Sequence, residues 1–391
     1  MIRRLTAVGV AMVAVGATLS APNSGATVAR RATERPGDVI SATAYTPRLV
    51  AGVPMSARAW RITYVSRTAT GDPTRVTGSV IVPDEPWNGE GARPLLGFAV
   101  GTQGLADRCA ASRQLRLGTE YEAPVIAQAI QRGWAVAVTD YPGLGTPGDH
   151  TYVVHQANGR AVLDSMRAAR RLPAADIAAH GPAAIYGFSE GGGAAGGAIE
   201  LQPTYAPDIP LKGAFVGAAP SDFRAVLDHV DGTPLVFLAG YAAVGFEQAY
   251  PGIGFDRYLT PLGRRMLDKV RDTCIVDAIA LGPTQPHDLD AYFTADPFSI
   301  PSIRRRLAQN SLGHTAPQTA VLVGGGTNDE VIPHAVVKKL YRDYCRLGVN
   351  AHFRAVPLTE HLSGGALISP AAMRFLAARF AGERLPRAAD C

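Results

Sequence analysis

The chain has 391 residues, 47% of them hydrophobic and 18% charged, with a formal net charge of +5. That composition supplies a large core, and no long low-complexity or repeated segment appears. No basic run is interleaved with aromatics, which excludes nucleic acid as an expected partner; Arg304-Arg305-Arg306 reads as a solvated helix face.

Met1-Ile2-Arg3-Arg4 followed by the apolar residues 5–19 has the layout of a secretory signal peptide. Cleavage after Ser24-Gly25-Ala26 would remove residues 1–26, with Val15-Gly16-Ala17 as a second option. The run is short for a membrane span, and no later segment is long and apolar enough for one. The expected location is therefore extracellular or at the cell envelope. A variable stretch reaches about Pro54. Residues 61–67 and 76–82 then read as strands forming an antiparallel edge. Residues 95–100 read as a buried strand, 122–132 as a helix and 134–139 as a strand that ends in Asp140-Tyr141-Pro142-Gly143-Leu144-Gly145. A helix over 159–172 points Val162, Met166 and Ala169 at the core and Arg167, Arg170 and Arg171 elsewhere. Strands follow at 183–186 and 213–218. Run-like apolar strands alternating with helices predict a parallel sheet, whose ligands bind at the carboxyl ends of its strands.

The strand at 183–186 runs into Gly187-Phe188-Ser189-Glu190-Gly191, and small residues continue from Gly192 to Ala198. Glycine on both sides of a serine after a strand is the pattern of a nucleophile elbow, where a tight turn leaves no room for flanking side chains. The small residues would let the next helix start close against the sheet, its N-terminus favouring negative charge near Ser189. A serine hydroxyl needs a general base, and the base needs an orienting acid. Strand candidate 319–323 leads to a loop carrying Asp329, and strand candidate 351–356 leads to a loop carrying His361. The order Ser189, Asp329, His361 is the one required on an α/β-hydrolase sheet. Glu330 is the alternative acid. His352 falls within a strand, His314 precedes the acid, and His334 comes too soon to be the base. His150, His155, His180, His229 and His287 read as surface or cap histidines. For the oxyanion, the expected donors are the backbone N–H of Glu190 and that of Gln103 in the loop Gly101-Thr102-Gln103-Gly104, with Gly104 and Thr102 as alternatives.

Between 221 and 312 the strand–helix alternation stops, and the segment is helical in pattern with many aromatics: Phe237, Tyr241, Phe246, Tyr250, Phe255, Tyr258, Tyr292, Phe293 and Phe298. The expected architecture is an α/β-hydrolase core (27–220 and 313–391) with a helical cap or lid inserted at 221–312. Most of these aromatics would build the cap's own core, and some would line an apolar acyl tunnel over Ser189. In an exported chain, four cysteines suggest two disulfides among three pairings. The expected pairs are Cys109 with Cys274 and Cys345 with Cys391. Their spacing fits no zinc signature, and the chemistry calls for no metal or organic cofactor.

With these residues in place the chain resembles the secretory lipase family typified by fungal secreted lipase A, which has many actinobacterial members. The resemblance runs from about Ser56 to the C-terminus. It rests on Gly101-Thr102-Gln103-Gly104 with Cys109-Ala110-Ala111-Ser112, on Asp140-Tyr141-Pro142-Gly143-Leu144-Gly145, and on Gly187-Phe188-Ser189-Glu190-Gly191-Gly192. It continues through Gly326-Thr327-Asn328-Asp329-Glu330-Val331-Ile332-Pro333 and Glu360-His361-Leu362. It implies a capped hydrolase of carboxylic esters of lipids, with Ser189, Asp329 and His361 as triad, and it favours the Cys109–Cys274 pair. Bacterial relatives often carry His where this chain has Val100, and Pro where it has Ala111; both departures leave the backbone donors intact.

The expected reaction is two-step acyl transfer to water from a lipid or small-molecule ester, with transient contact between cap and lipid interface. A secreted acyltransferase would share the acyl-enzyme. A peptidase is disfavoured, because nothing suggests a site for an extended peptide. A non-catalytic hydrolase-like binding protein would usually lack a triad member, and none is missing.

Overall fold

The computed structural model describes residues 34–391, so the expected signal segment lies outside the described residues. Arg35–Cys391 forms one compact unit built on a nine-stranded sheet. Its strands are β1 (Val39–Tyr45), β4 (Ala57–Arg67), β5 (Pro73–Pro83), β6 (Leu95–Ala99), β7 (Ala135–Thr139), β8 (Ala183–Phe188), β9 (Leu211–Gly217), β10 (Val321–Gly326) and β11 (Ala351–Val356). A separate small hairpin joins β2 (Arg48–Val50) to β3 (Val53–Pro54). The order across the main sheet is β1-β4-β5-β7-β6-β8-β9-β10-β11. Pairing is parallel from β7 through β11 and antiparallel from β1 to β7.

The central strands are buried at every position, as expected where helices cover both faces. The antiparallel part is larger than expected: β1 lies in the stretch read as variable and is the true edge, pairing with β4 from Val39↔Tyr64 to Tyr45↔Ala59. Its interior residues are all exposed, so no apolar period marks it; besides the backbone pairing, its half-buried ends Val39 and Tyr45 pack on the core, and the Tyr45 hydroxyl donates to Ser79 Oγ at 2.8 Å.

Helices α1 (Ala111–Leu117), α2 (Ala123–Gln131), α3 (His155–Arg171) and α4 (Glu190–Tyr205) precede β9; α10 (His334–Arg346) and α11 (His361–Phe380) follow β10 and β11. The small residues of α4 have a second use beyond the turn at Ser189. A Cβ on Gly197 would lie 2.5 Å from the carbonyl oxygen of His155, so α3 and α4 touch backbone to backbone. His155 is consequently buried, 1% exposed, and His150 is 0% exposed. Neither is the surface or cap residue the sequence suggested. His155 packs between α3 and α4, where desolvation lowers its pKa to about 4.

Between β9 and β10 run α5 (Phe223–Val230), α6 (Phe237–Ala249), α7 (Pro261–Arg271), α8 (Ile275–Leu281) and α9 (Pro301–Asn310). They share a hydrophobic cluster of their own with Leu105 and with residues 152–154. Phe237 and Tyr241 meet edge to face at 5.5 Å, and Tyr241 meets Tyr152 the same way at 5.4 Å. Arg304 and Arg305 are exposed on α9, while Arg306 lies over the ring of Tyr250. Both expected disulfides are present, Cys109–Cys274 and Cys345–Cys391. The first closes 165 residues of chain, which in the chain-entropy account contributes about 5 kcal/mol. It ties α8 to the segment after β6.

Glu200, near the end of α4, is mostly buried and accepts hydrogen bonds from the Gly313 N–H (2.8 Å) and the Tyr344 hydroxyl (3.0 Å). Desolvation raises its carboxyl to about 7. The folded state then holds this proton more tightly than the unfolded chain, where a glutamate titrates near 4.5. Its contribution to stability is complete below about pH 4.5 and is lost as pH rises through about 7. Glutamine keeps an acceptor for both donors and has nothing to ionise. Melting temperatures of Glu200→Gln and wild type should therefore be close at pH 4.5 and diverge in favour of the variant by pH 8. A constant difference between them would contradict the assignment.

Candidate active site

Ser189 follows β8 with φ 61° and ψ −125°, a strained backbone held by the Ser189 N–H to the Gly217 carbonyl (3.0 Å) and the Gly193 N–H to the Ser189 carbonyl (3.0 Å). A Cβ on Gly191 would lie 2.0 Å from the Ala99 carbonyl oxygen, and one on Gly187 would lie 2.0 Å from that of Gly191. The turn therefore admits no side chain on either flank. Its hydroxyl is half-buried at the N-terminus of α4.

The loops after β10 and β11 converge on this serine. His361 Nε2 is 2.8 Å from Ser189 Oγ, and His361 Nδ1 is 2.9 and 2.8 Å from the two carboxylate oxygens of Asp329. Asp329 Oδ1 also accepts the N–H groups of Val331 (2.9 Å) and Ile332 (2.7 Å). Asp329 and His361 are 5% and 6% exposed, so these bonds form out of bulk water. His361 opens α11; Glu360 caps that helix through the N–H groups of Leu362 and Ser363, and this draws its carboxyl below the usual range. Glu330 accepts the backbone N–H of His361 at 2.9 Å, a different position from that of the alternative acid. His352 stays on β11, His314 is exposed, and His334 packs on Phe353.

The loop after β6 lies beside the serine. The Gly101 N–H is taken by Glu122 Oε2 (2.6 Å), and the Gln103 carbonyl accepts the Ile275 N–H (2.9 Å). The Gln103 side chain turns away toward Glu120 (3.2 Å) and Gln114 (2.6 Å). Gly104 pairs with Cys274 as an antiparallel bridge. The two motifs at 109–112 and 140–145 meet in one network. Asp140 accepts the N–H of Ser112 (2.8 Å) and the hydroxyls of Ser112 and Thr77, with burial pushing its carboxyl up. Tyr141, at φ 66°, donates its hydroxyl to the Val100 carbonyl at 2.8 Å.

Sequence reasoning missed several neighbours. Buried His150 Nε2 lies 2.8 Å from Glu190 Oε1, and Asn158 donates to the same oxygen at 3.4 Å. His229, on α5, reaches the Asp329 carbonyl at 3.2 Å. These partners are distant in sequence, and no local motif announces them. An apolar cavity of about 70 Å³ opens beside Ser189, lined by Tyr152, Val153, Phe223, Leu227, Ala239 and Ala242 among others. A second, of about 60 Å³, shares the lining residues Phe223, Leu227, Ala239 and Ala242 with it and is also lined by Phe246, Phe255, Phe293 and Phe298. Four of the expected aromatics thus line cavity, whereas Phe237 and Tyr241 pack in the helical core. Among the described residues no His, Cys, Asp or Glu group is arranged to hold a metal ion, and no helix is long and apolar enough to cross a membrane.

Residues 110–387 match the family model described as secretory lipase. A probable inactive lipase of Mycobacterium tuberculosis is 28% identical over 348 residues, covering 85% of this chain and 76% of that protein. A secreted triacylglycerol lipase of Malassezia globosa is 26% identical over 327 residues, covering 78% and 69%. Among solved structures, Candida antarctica lipase A in its closed state superposes with a TM-score of 0.81 at 19% identity, over 92% of this chain and 85% of that one. The fold is accordingly that of the lipase and esterase α/β-hydrolases.

Proposed function

This chain belongs to the secretory lipase family, and from that premise we propose that it is an exported serine hydrolase of lipid esters. The observation that carries the reading is the unbroken chain of hydrogen bonds from Ser189 through His361 to Asp329 at the mouth of an apolar cavity. His361 takes the Ser189 proton as the hydroxyl attacks the ester carbonyl, giving a tetrahedral oxyanion. The N–H groups of Glu190 and Gln103 hold that oxyanion at the N-terminus of α4. The alcohol leaves with the proton from His361, and water repeats the sequence on the acyl-enzyme to release the acid. The name of the Mycobacterium relative makes a catalytically silent protein the rival reading. The intact triad in this chain favours activity over it. Family membership and the two disulfides support an extracellular location.

In this reading residues 221–312 form the cap, and the two joined cavities bind the acyl chain. Ala242 lines both of them. Ala242→Phe should close the passage, lowering kcat/KM for p-nitrophenyl palmitate at least about tenfold while leaving the butyrate ester within about twofold, since the loss falls only on contacts the longer chain makes. Equal losses on both esters would place the acyl chain elsewhere. Hydrolysis measured from acetate to palmitate tests the function itself: a serine-dependent peak at long chains marks a lipase, one at short chains an esterase. An acceptor alcohol that captures the acyl group in preference to water would identify an acyltransferase.

A further inference from the structure

The loop after β6 is gripped by side chains that the acyl transfer itself does not use. Glu122 stands at the N-cap of α2, where a carboxyl ordinarily accepts the helix's own free N–H groups. Here α2 has no side-chain cap, and Glu122 Oε2 instead accepts the Gly101 N–H, twenty-one residues back, at 2.6 Å. The residue is 7% exposed, and its backbone N–H donates to Glu120 Oε1 at 3.1 Å, which fixes where the side chain starts. The same loop is held twice more. Tyr141 donates to the Val100 carbonyl (2.8 Å), and Tyr121 donates to the Thr102 carbonyl (3.3 Å). A Cβ on Gly101 would sit 2.5 Å from the Tyr121 hydroxyl oxygen, so a side chain there would displace that hydroxyl from the loop. Two peptide groups of the loop, Val100–Gly101 and Thr102–Gln103, are thus pinned from outside, the first at both its carbonyl and its N–H. The Gln103 N–H belongs to the second of them and the Thr102 N–H lies between the two, so both take their direction from these contacts.

We propose that Glu122 is a positioning residue for ester cleavage: by accepting the Gly101 N–H it orients the loop whose next N–H groups meet the oxyanion. The proposal rests on the reading of Ser189 as nucleophile. A buried carboxylate close to a developing oxyanion would oppose catalysis if it were charged. Desolvation, then the neighbouring Glu120 and Glu190 carboxyls, hold Glu122 well above the usual carboxylate range. Burial thus favours the protonated form, whose carbonyl oxygen can accept the Gly101 N–H without adding negative charge. Glutamine reproduces that acceptor, whereas alanine removes it and aspartate is too short to reach it.

The test compares wild type, Glu122→Gln, Glu122→Ala, Glu122→Asp and Ser189→Ala on p-nitrophenyl butyrate, with active sites counted by labelling with diethyl p-nitrophenyl phosphate and folding checked by thermal melts. Loss of a whole oxyanion donor costs about a hundredfold to a thousandfold in kcat, so misdirecting one should cost about tenfold to a hundredfold in Glu122→Ala. KM should stay within about twofold, because the interaction is made only with the transition state. Glu122→Gln should retain kcat within about threefold. An unchanged kcat in Glu122→Ala overturns the proposal, as does a folded Glu122→Gln that is as impaired as Glu122→Ala. Should Glu122→Ala not fold, Glu122→Asp carries the same expected loss, and full activity there overturns it equally. Failure of the underlying reading is separate: it would appear as Ser189→Ala matching wild type.

Discussion

Ser189→Ala is expected to lower kcat on p-nitrophenyl esters by about a millionfold, the scale on which other serine triads respond to loss of the nucleophile. The acyl-enzyme route disappears entirely with the hydroxyl. What remains is attack by water on an ester still polarised by the N–H groups at the head of α4, worth about a thousandfold over solution. Folding should be nearly unaffected, because the Ser189 side chain has one hydrogen-bond partner, His361 Nε2, and is half-buried at the cavity mouth. The φ of 61° at this position is strained for alanine as it is for serine, so the variant gains no relief there. The measurement is the initial rate from acetate to palmitate by the purified protein, with protein concentration fixed by absorbance. Near-normal turnover in the variant would remove Ser189 from the mechanism. No turnover in the wild type at any chain length would shift weight to the silent-protein reading that the Mycobacterium relative raises.

The convergence of Ser189, Asp329 and His361 was legible in the sequence because each lies one loop beyond a run of buried apolar residues, and a parallel sheet gathers such loops at one edge. Glycines at 187 and 191 were legible for a similar reason: the requirement they meet is local, a turn too tight for Cβ atoms. The residues that escaped are those whose meaning is set by partners far along the chain. Glu122 reads as an ordinary helix start until Gly101 is seen beside it. His150 reads as a surface or cap histidine until α4 brings Glu190 to it. Strand β1 escaped for another reason, since an edge strand exposed at every interior position carries no period to read. The aromatics of the helical segment fall between these cases. Their number implied a core or a tunnel, but three of the four that face cavity, Phe255, Phe293 and Phe298, lie in the connections between the helices, where no helical period could have sorted them.

Asp329→Asn should be severely damaging, about a hundredfold less so than loss of the serine, although it changes only one oxygen to nitrogen. The carboxylate accepts from three donors at once: His361 Nδ1, in contact with both oxygens, and the N–H groups of Val331 and Ile332 on Oδ1. An asparagine can satisfy the backbone donors only with its carbonyl oxygen, which turns its NH2 toward His361. That NH2 can only donate, so Nδ1 must become an acceptor and the imidazole proton moves to Nε2. Nε2 then donates to Ser189 and cannot take its proton, which is the step catalysis needs. A loss of about ten-thousandfold in kcat follows, with KM little changed and the melting temperature close to wild type. Glu330 cannot substitute, because its carboxyl is engaged by the His361 backbone N–H at 2.9 Å and lies on the main-chain side of the histidine. The pair of variants therefore separates the two acids. Glu330→Gln keeps an acceptor for that N–H and should stay within about tenfold of wild type. If Glu330→Gln proved the more damaging of the two, the orienting role would belong to Glu330, and the contacts between Asp329 and His361 would be structural.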